Sequence, residues 1–581
     1  MNILAIQALR GPNYWSISNP KLFQLRLEIE PQEAEFNFDE IRNHVAVVFH
    51  GINGVQNANN LYELTGLLAL HLQRLCGLTV DFLLVNSTKY PNINNVVYEY
   101  GAEETGKLAG KMAVEFLNGF LKNKQPDIVG KLEKLNTTLA KEMYPEAVME
   151  LISEAKQLQI PVLEGDTLDD LQFGYGLKSI KWDKVVTSGF NKDELYRIPL
   201  IAITGSNGKT TTTRLTAFIA SLAGKNVGFT TSDGIYIKGK MVDEGDTTGP
   251  MSAGIVLRNN EVDFAVLETA RGGIVRAGLG FDQCDVGVIT NIQEDHLGIS
   301  DIETISDLAN VKYVVTKAIK PGGFAVLNGD NSFSLNAVTS SDVHKTCFTL
   351  NLPDFLKKAN SAEFKTIAYI ENGDLKIKED HKDITICKVT EIPITFGGAV
   401  EFMLQNAMAA SLAAWVSGID FKHIRKGLLT FVPSAETTPG RMNIFKLRDY
   451  TLLVDFAHNQ DGFAGVRDYL KTVEAPFKAG IIVATGDRKP EDVIQMGAIA
   501  AQMFDKIYIH QVKFLRGSTA ENLIDLLLQG FNSISPAKPW ERIPDALEPL
   551  SFVINQSAPG TYIVALSNVL NDIDGLVKQY S

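Results

Sequence analysis

The residues Gly205-Ser206-Asn207-Gly208-Lys209-Thr210-Thr211 have the types and spacing that phosphate chemistry needs. Glycines let a backbone turn tightly and aim its N–H groups at phosphate oxygens. A helix starting near Lys209 adds the positive end of its dipole. At this spacing Lys209 would reach the β- and γ-phosphates of a nucleotide, and the Thr210 hydroxyl would hold Mg2+. Gly205, Asn207, Gly208 and Thr211 would line the cradle. Position 203 is Ile, so the longer GxxxxGK[ST] spacing is not met and the loop is a shortened GxxGKT[ST] form. The apolar run IPLIAIT precedes it and TTTTRLTAFIASLAG follows it. Strand, turn and helix in that order are the context a phosphate loop requires.

Further reactive side chains close other apolar runs. Glu268 ends FAVLE, and His296 stands in NIQEDHLG after another run. Both fall at carboxyl ends of expected parallel strands, the edge where open α/β sheets bind ligands. A carboxylate and an imidazole there could hold a second Mg2+. Lys312 sits on an expected helix, and its plain alternative is a solvated lysine. Arg271 and Arg276 in TARGGIVRAG are expected on a loop, where they would clamp an acidic substrate or pair with structural acids. Asp455 and His458 close TLLVDFAH, and Gly440-Arg441 begins the C-terminal domain. An Arg and an Asp from a separate domain could close over a nucleotide and exclude water.

The elements that would carry these residues are alternating. From 198 onward, buried-strand patterns at 198–204, 262–270, 284–292 and 320–331 alternate with helical ones, which predicts a parallel sheet covered on both faces. NAMAASLAAWVSG (406–418) reads as a small-residue helix. Residues 334–398 read as a small β insertion with a turn at Asn372-Gly373. A second alternating unit has strands at 450–458, 479–487 and 506–512. Residues 1–165 read as mixed α/β, with VAVVFH (45–50) as a strand and helices over 61–75, 101–121 and 144–159. Residues 166–197 read as a linker. The fold class is therefore multidomain α/β: a mixed N-terminal domain (1–165), a central phosphate-loop domain with a parallel sheet (198–435), and a Rossmann-like C-terminal domain (436–581).

The chain has 581 residues, 45% of them apolar and 21% charged, which is globular composition. Its 55 basic and 68 acidic residues give a net charge of −13, which argues against nucleic acid or an anionic membrane as the main partner. Four scattered cysteines (Cys76, Cys284, Cys347, Cys387) contain no CxxC pair, so zinc-ribbon and disulfide frameworks are excluded and a reducing compartment is expected. Arg10 and Pro12 interrupt the N-terminal apolar run before signal-peptide length, and the expectation is a cytoplasmic protein.

The segments GSNGKTTTT, ETARGG, TNIQEDHLG, QNAMAA, TPGRMN and DFAHN occur in the order of the Mur ligase family, which the chain resembles. More narrowly, ETARGGIVRAGLGFDQCDVGVITNI, with LRGPNYWS and YEYGAEETGKLAG, resembles the cyanophycin synthetase family. That family has an ATP-grasp domain where only 180–196 stand here. The resemblance therefore implies a chain that does not extend a poly-aspartate backbone by itself. An HxxEH-like pattern is also absent from ELTGLLALHLQ, and His71 alone makes no metal site. HQVKFLRG, with His510 and Lys513, replaces an acidic stretch, which points away from arginine as the amine.

Carried over by position, the resemblance implies that Lys209 and Thr210 handle triphosphate and Mg2+, and that Glu268 and His296 hold metal. Asn406 and Arg441 would approach the nucleotide, and Asp455 its sugar or phosphates. His458 matches a DYAHN-type motif, and Lys312 is the nearest match to a carbamylated lysine. The implied activity is an ATP-dependent amide ligase acting on amino acids or short acidic peptides, in a homo-oligomer. Two alternatives stay open: a P-loop ATPase, and a non-catalytic peptide-binding relic of a ligase.

Overall fold

The computed structural model describes all residues except 19–20, 31–36, 125, 166, 195, 360, 380–381, 484–485, 487, 511–514, 516–517, 568–571 and 581. Two compact units are present. One comprises Met1–Ile198, Thr248–Asp263 and Thr269–Gln283; the other comprises Pro199–Thr247, Phe264–Glu268 and Cys284–Ser581.

In the first unit a four-stranded antiparallel sheet runs in the order Asn2–Leu9, Leu22–Glu28, Ile93–Glu99, Leu83–Ser87. Helices Leu61–Leu75 and Glu103–Leu121 pack on it. Phe23, Leu25, Leu68, Tyr98 and Phe116, all nearly devoid of exposure, fill the core between them. Residues 45–50 are not a strand: they end the helix Phe38–Val48. Ile41, Val45 and Phe49 repeat at fourth-residue spacing and are buried, while Val47 is exposed. The helical period buries more of this segment than an alternating one would, and Asp39 and Glu40 suit its first turn.

The stretch expected as a linker is folded. Val162–Leu163, Gln172–Phe173 and Ile180–Lys181 form a small antiparallel sheet. Phe173, Phe190 and Tyr196 stack edge to face beside helix Glu146–Gln157. Two-residue strands carry too little alternation to be read from sequence. Helices Pro250–Arg258 and Arg271–Ala277 also belong to this unit, although they lie within the stretch expected as one central domain.

In the second unit an eleven-stranded sheet runs Lys240–Glu244, Gly234–Ile237, Val227–Thr230, Phe264–Glu268, Leu200–Thr204, Cys284–Ile289, Ile319–Asn328, His344–Thr349, Phe364–Glu371, Asp374–Glu379, Lys382–Lys388. Its middle strands, from Val227–Thr230 to Phe364–Glu371, are parallel. Every residue of Leu200–Thr204 and Phe264–Glu268 is buried, as a sheet covered on both faces demands. Helix Glu401–Val416 is apolar around most of its circumference, and its alanines let it pack against helix Lys209–Leu222. Residues 334–398 do not form a separate insertion. Their strands extend the same sheet and close its edge with two hairpin-linked antiparallel strands, the tight turn at Asn372-Gly373 having positive φ at both residues.

A second sheet runs Asn443–Lys446, Thr451–Asp455, Tyr562–Leu566, Lys478–Ile482, Lys506–Ile509, Trp540–Arg542, parallel except for its first strand. The strand expected over 479–487 stops at Ile482, and residues 484, 485 and 487 lie outside the described residues. Among the described residues no helix is long and apolar enough to cross a membrane.

Candidate nucleotide site

Strand register assembles the site. Glu268 pairs with Ile203, and Ile289 with Thr204, so three parallel strands end side by side. Strands up to Phe264–Glu268 lie on one side of Leu200–Thr204 and those from Cys284–Ile289 onward on the other, which makes this edge a switch point of the sheet. The phosphate loop follows at once. A Cβ on Gly205 would lie 1.9 Å from Thr290 Oγ1. Gly208 has φ +86°, and its Cβ would lie 2.1 Å from Asn406 Oδ1. Only glycine fits either position. Asn406 is thereby placed against the loop by helix Glu401–Val416. Thr211 is buried in the first turn of helix Lys209–Leu222.

Lys209 Nζ donates to the carbonyls of Gly205 (3.0 Å) and Ser206 (2.9 Å). Buried Lys312, on helix Ile305–Lys317, donates to the same Gly205 carbonyl at 2.7 Å. It is therefore not a solvated lysine. Thr210 Oγ1 lies 3.2 Å from Ser232 Oγ, and Ser232 N donates to Glu268 Oε2 at 3.2 Å. Burial raises the Glu268 carboxyl above its usual range, against the pull of Lys209, a hydrogen bond from Thr210, and Arg441. Arg441 stacks its guanidinium 4.5 Å over the Phe456 ring and reaches Ser232 Oγ at 3.5 Å. Buried Asp455 accepts from Met442 N and Ala457 N at 2.8 and 2.7 Å. Desolvation raises its carboxyl while Arg441 opposes the rise.

Lys209, Thr210, Glu268, Lys312, Asn406, Arg441 and Asp455 therefore gather around one loop. His296 stands with Asp295 and His458, and one ligand atom from each of the three lies within 4.8 Å of the others. The two imidazoles are 6.0 Å apart at their centroids. His458 Nδ1 faces the Phe456 carbonyl at 2.8 Å. Desolvation lowers His458 to about 4. Burial alone would raise Asp295, but His296, His458 and Arg488 together hold it below the carboxylate range. Arg271 and Arg276 lie on helix Arg271–Ala277 of the first unit, not on a loop; Ile274 and Val275 bury its inner face. Of HQVKFLRG only His510 and Leu515 are described, and Lys513 lies outside the described residues.

Several residues here were not singled out from the sequence. Thr290 Oγ1 donates to the Asn207 carbonyl at 2.6 Å, Asn291 Oδ1 accepts from Asn207 N at 2.9 Å, and Ser206 Oγ donates to the Gln293 carbonyl at 2.9 Å. The TNIQ segment thus clamps the loop from the neighbouring strand. The motif was legible there, but the division of labour within it was not. Arg488, with a side chain 3% exposed, pairs with Asp295 at 2.8 Å and had no sequence signal.

Residues 203–414 match the Mur ligase middle domain, and residues 440–568 match the Mur ligase glutamate ligase domain. The chain belongs to the Mur ligase family. Among its relatives, the cyanophycin synthetase of Synechocystis sp. is 42% identical over 383 residues, 66% of this chain and 44% of that one. The cyanophycin synthetase of Crocosphaera subtropica is 41% identical over 375 residues, 64% of this chain and 43% of that one. The chain thus spans less than half the length of these curated relatives. A solved pseudomurein peptide ligase type C from Methanothermus fervidus aligns with 64% of this chain and 76% of its own, at 17% identity and a TM-score of 0.46.

Proposed function

We propose that this chain is an ATP-dependent carbon–nitrogen ligase that activates a carboxylate as an acyl phosphate and passes the acyl group to an amine. The observation that carries the reading is the phosphate loop itself: Gly208 in a left-handed turn at a helix start, with Lys209, Thr210 and buried Glu268 at the carboxyl edge of one parallel sheet. The match to both Mur ligase domains supports it.

Each residue has a task in that reaction. Carboxylates resist amines because they are anionic and lack a leaving group. The carboxylate oxygen attacks the γ-phosphorus and ADP departs. The amine nitrogen then adds to the acyl carbon, loses its proton, and the C–O bond to phosphate breaks. Backbone N–H groups of the loop and Lys209 hold the phosphates and offset charge on the moving phosphoryl group. Thr210 and Glu268 are hard oxygen donors side by side, a set that fits Mg2+. His296 is the nitrogen donor proposed for a second divalent ion, which would supply further charge neutralisation. Lys312 secures the loop from below. Asn406, Arg441, Asp455 and His458 enclose the nucleotide, with Gly205, Asn207, Gly208 and Thr211 forming its cradle. Arg271 and Arg276 are proposed to receive the acid, an amino acid or short acidic peptide.

The proposed division of the chain follows. Residues 198–435 bind ATP and acid, 436–581 bring the amine, and 1–165 serve binding or assembly, in a cytoplasmic homo-oligomer. Residues 166–197 stand where an ATP-grasp domain would lie.

The test is ATP turnover by the full chain with Mg2+, screened over pairs of amino acids and short acidic peptides, with product masses measured. The expected result is ADP release that requires both an acid and an amine, yields a condensed product, and vanishes in Lys209→Ala. ATP hydrolysis at one rate whatever acid and amine are present would overturn it.

A further inference from the structure

Every polar group of Asn207 has a partner within the protein. Its N–H donates to Asn291 Oδ1 (2.9 Å), and its carbonyl takes Thr290 Oγ1 (2.6 Å) and Asn291 Nδ2 (3.2 Å). Its side-chain Nδ2 donates to Gln293 Oε1 at 3.2 Å and to Asn459 Oδ1 at 3.4 Å, and its Oδ1 accepts from Asn459 Nδ2 at 3.0 Å. Within the loop it is a strut. The partner at the far end is equally committed. Asn459, 3% exposed, is the N-cap of helix Gln460–Leu470, and its Oδ1 accepts from Gly462 N at 2.8 Å.

Capping alone does not require asparagine. Ser, Thr and Asp cap about as well. What asparagine adds is an amide that donates while its carbonyl caps. One planar group therefore fixes the start of a helix at one end and the phosphate loop at the other. His458 immediately precedes this residue, so a shift of the loop is passed to the segment that carries the imidazole.

Resting on the ligase reading, we propose that Asn459 is a positioning residue that couples the state of the phosphate loop to the first turn of helix Gln460–Leu470 through its amide bond to Asn207. Phosphates entering the loop recruit the N–H groups next to Asn207 and draw Lys209 off the Gly205 and Ser206 carbonyls it now holds. The strut transmits that change to residues 458–462. A helix cap stapled to a ligand loop makes ligand binding and helix order one equilibrium.

Asn459→Asp isolates the coupling. The carboxylate still caps Gly462 N and keeps the 3.4 Å acceptor contact to Asn207 Nδ2, but it places an acceptor where Asn207 Oδ1 takes its 3.0 Å donor. Asn207→Asp is the contrast: it keeps the acceptor for Asn459 Nδ2 and loses the donor contacts to Gln293 Oε1 and, at 3.4 Å, to Asn459 Oδ1. The full chain and both variants are compared by amide hydrogen exchange over 205–211 and 459–466, with and without ADP and Mg2+, and by calorimetric titration with ADP. In the unsubstituted chain, ADP is expected to slow exchange in both segments. In Asn459→Asp it slows only the loop, with affinity weakened about tenfold, the scale expected for a lost hydrogen bond plus an unfavourable carboxylate contact. In Asn207→Asp the two segments still respond together. If Asn459→Asp keeps the full response at 459–466, the coupling is refuted.

The two readings fail separately. If ADP binds nowhere, the ligase reading falls. The strut still predicts faster exchange of the Asn207 amide in ligand-free Asn459→Asp, and an unchanged rate there refutes it on its own.

Discussion

Lys312 Nζ lies 2.7 Å from the Gly205 carbonyl oxygen, which also accepts from Lys209 Nζ at 3.0 Å. Two ammonium groups converge on one backbone oxygen beneath a loop shaped for phosphate. Lys312 is 3% exposed, so its charge acts in a low-dielectric setting and is little screened. Lys312→Met keeps most of the volume and removes the charge. Nucleotide affinity is expected to weaken about tenfold, since a charge-assisted hydrogen bond contributes about 1.5–3 kcal/mol. Calorimetric titration checks this, and an unchanged dissociation constant would show that Lys312 only fills space.

Gly208→Ala should damage the loop for two separable reasons. The left-handed backbone penalises any Cβ by about 1–2 kcal/mol, and the new carbon would lie 2.1 Å from Asn406 Oδ1. Pairing it with Asn406→Ala removes the steric part only. The double variant is therefore expected to recover some of the lost thermal stability but not all of it. Full recovery in thermal denaturation would mean that backbone strain contributes nothing there.

Much of this site could be read before the fold was known because its residues sit where motifs end. Gly208 and Lys209 mark a turn into a helix, and Glu268 and Asp455 close apolar runs that became buried strands. What escaped depends on distances across the sheet. The loop is held by Thr290 and Asn291, which follow a strand far along the chain, and the TNIQ motif does not by itself assign them that role. The grouping of His296 with Asp295 and His458 brings together segments far apart in the chain, and loop path rather than local sequence decides it. Residues 45–50 looked like a strand because Val-rich runs favour one, and tertiary burial of Ile41, Val45 and Phe49 overrode that preference.

His71 makes the first unit sensitive to acid. Its ring is buried on helix Leu61–Leu75, edge-on to Phe49, and Nε2 has no hydrogen-bond partner. Desolvation, with Arg74 adding to it, lowers its pKa from the usual 6.5. The unfolded imidazole therefore takes up its proton at a higher pH than the folded one. Stability from the neutral, buried ring is present above pH 6.5 and is lost as pH falls toward the lowered folded value. The loss cannot exceed about 1.4 kcal/mol per pH unit for one proton. Denaturant titrations of the full chain between pH 7.5 and 5 are expected to show a shallower acid slope in His71→Leu than in the unsubstituted chain. Parallel slopes would exclude His71 as the source.

Arg488 and Asp295 form an ion pair with side chains 3% and 12% exposed. Breaking such a pair strands a charge: removing one member of a buried pair costs about 3–5 kcal/mol, while replacing both is often close to neutral. Arg488→Met should accordingly destabilise the second unit by about 3 kcal/mol. Asp295 would lose the cation that helps hold its carboxyl ionised, leaving His296 and His458 as its remaining basic neighbours. Asp295→Asn in the same background relieves the stranded charge, so the double variant is expected to be more stable than Arg488→Met alone. Denaturant unfolding of the two single variants and the double closes the cycle. Strictly additive losses would show that the pair is not coupled, and that Arg488 acts through packing of its stem.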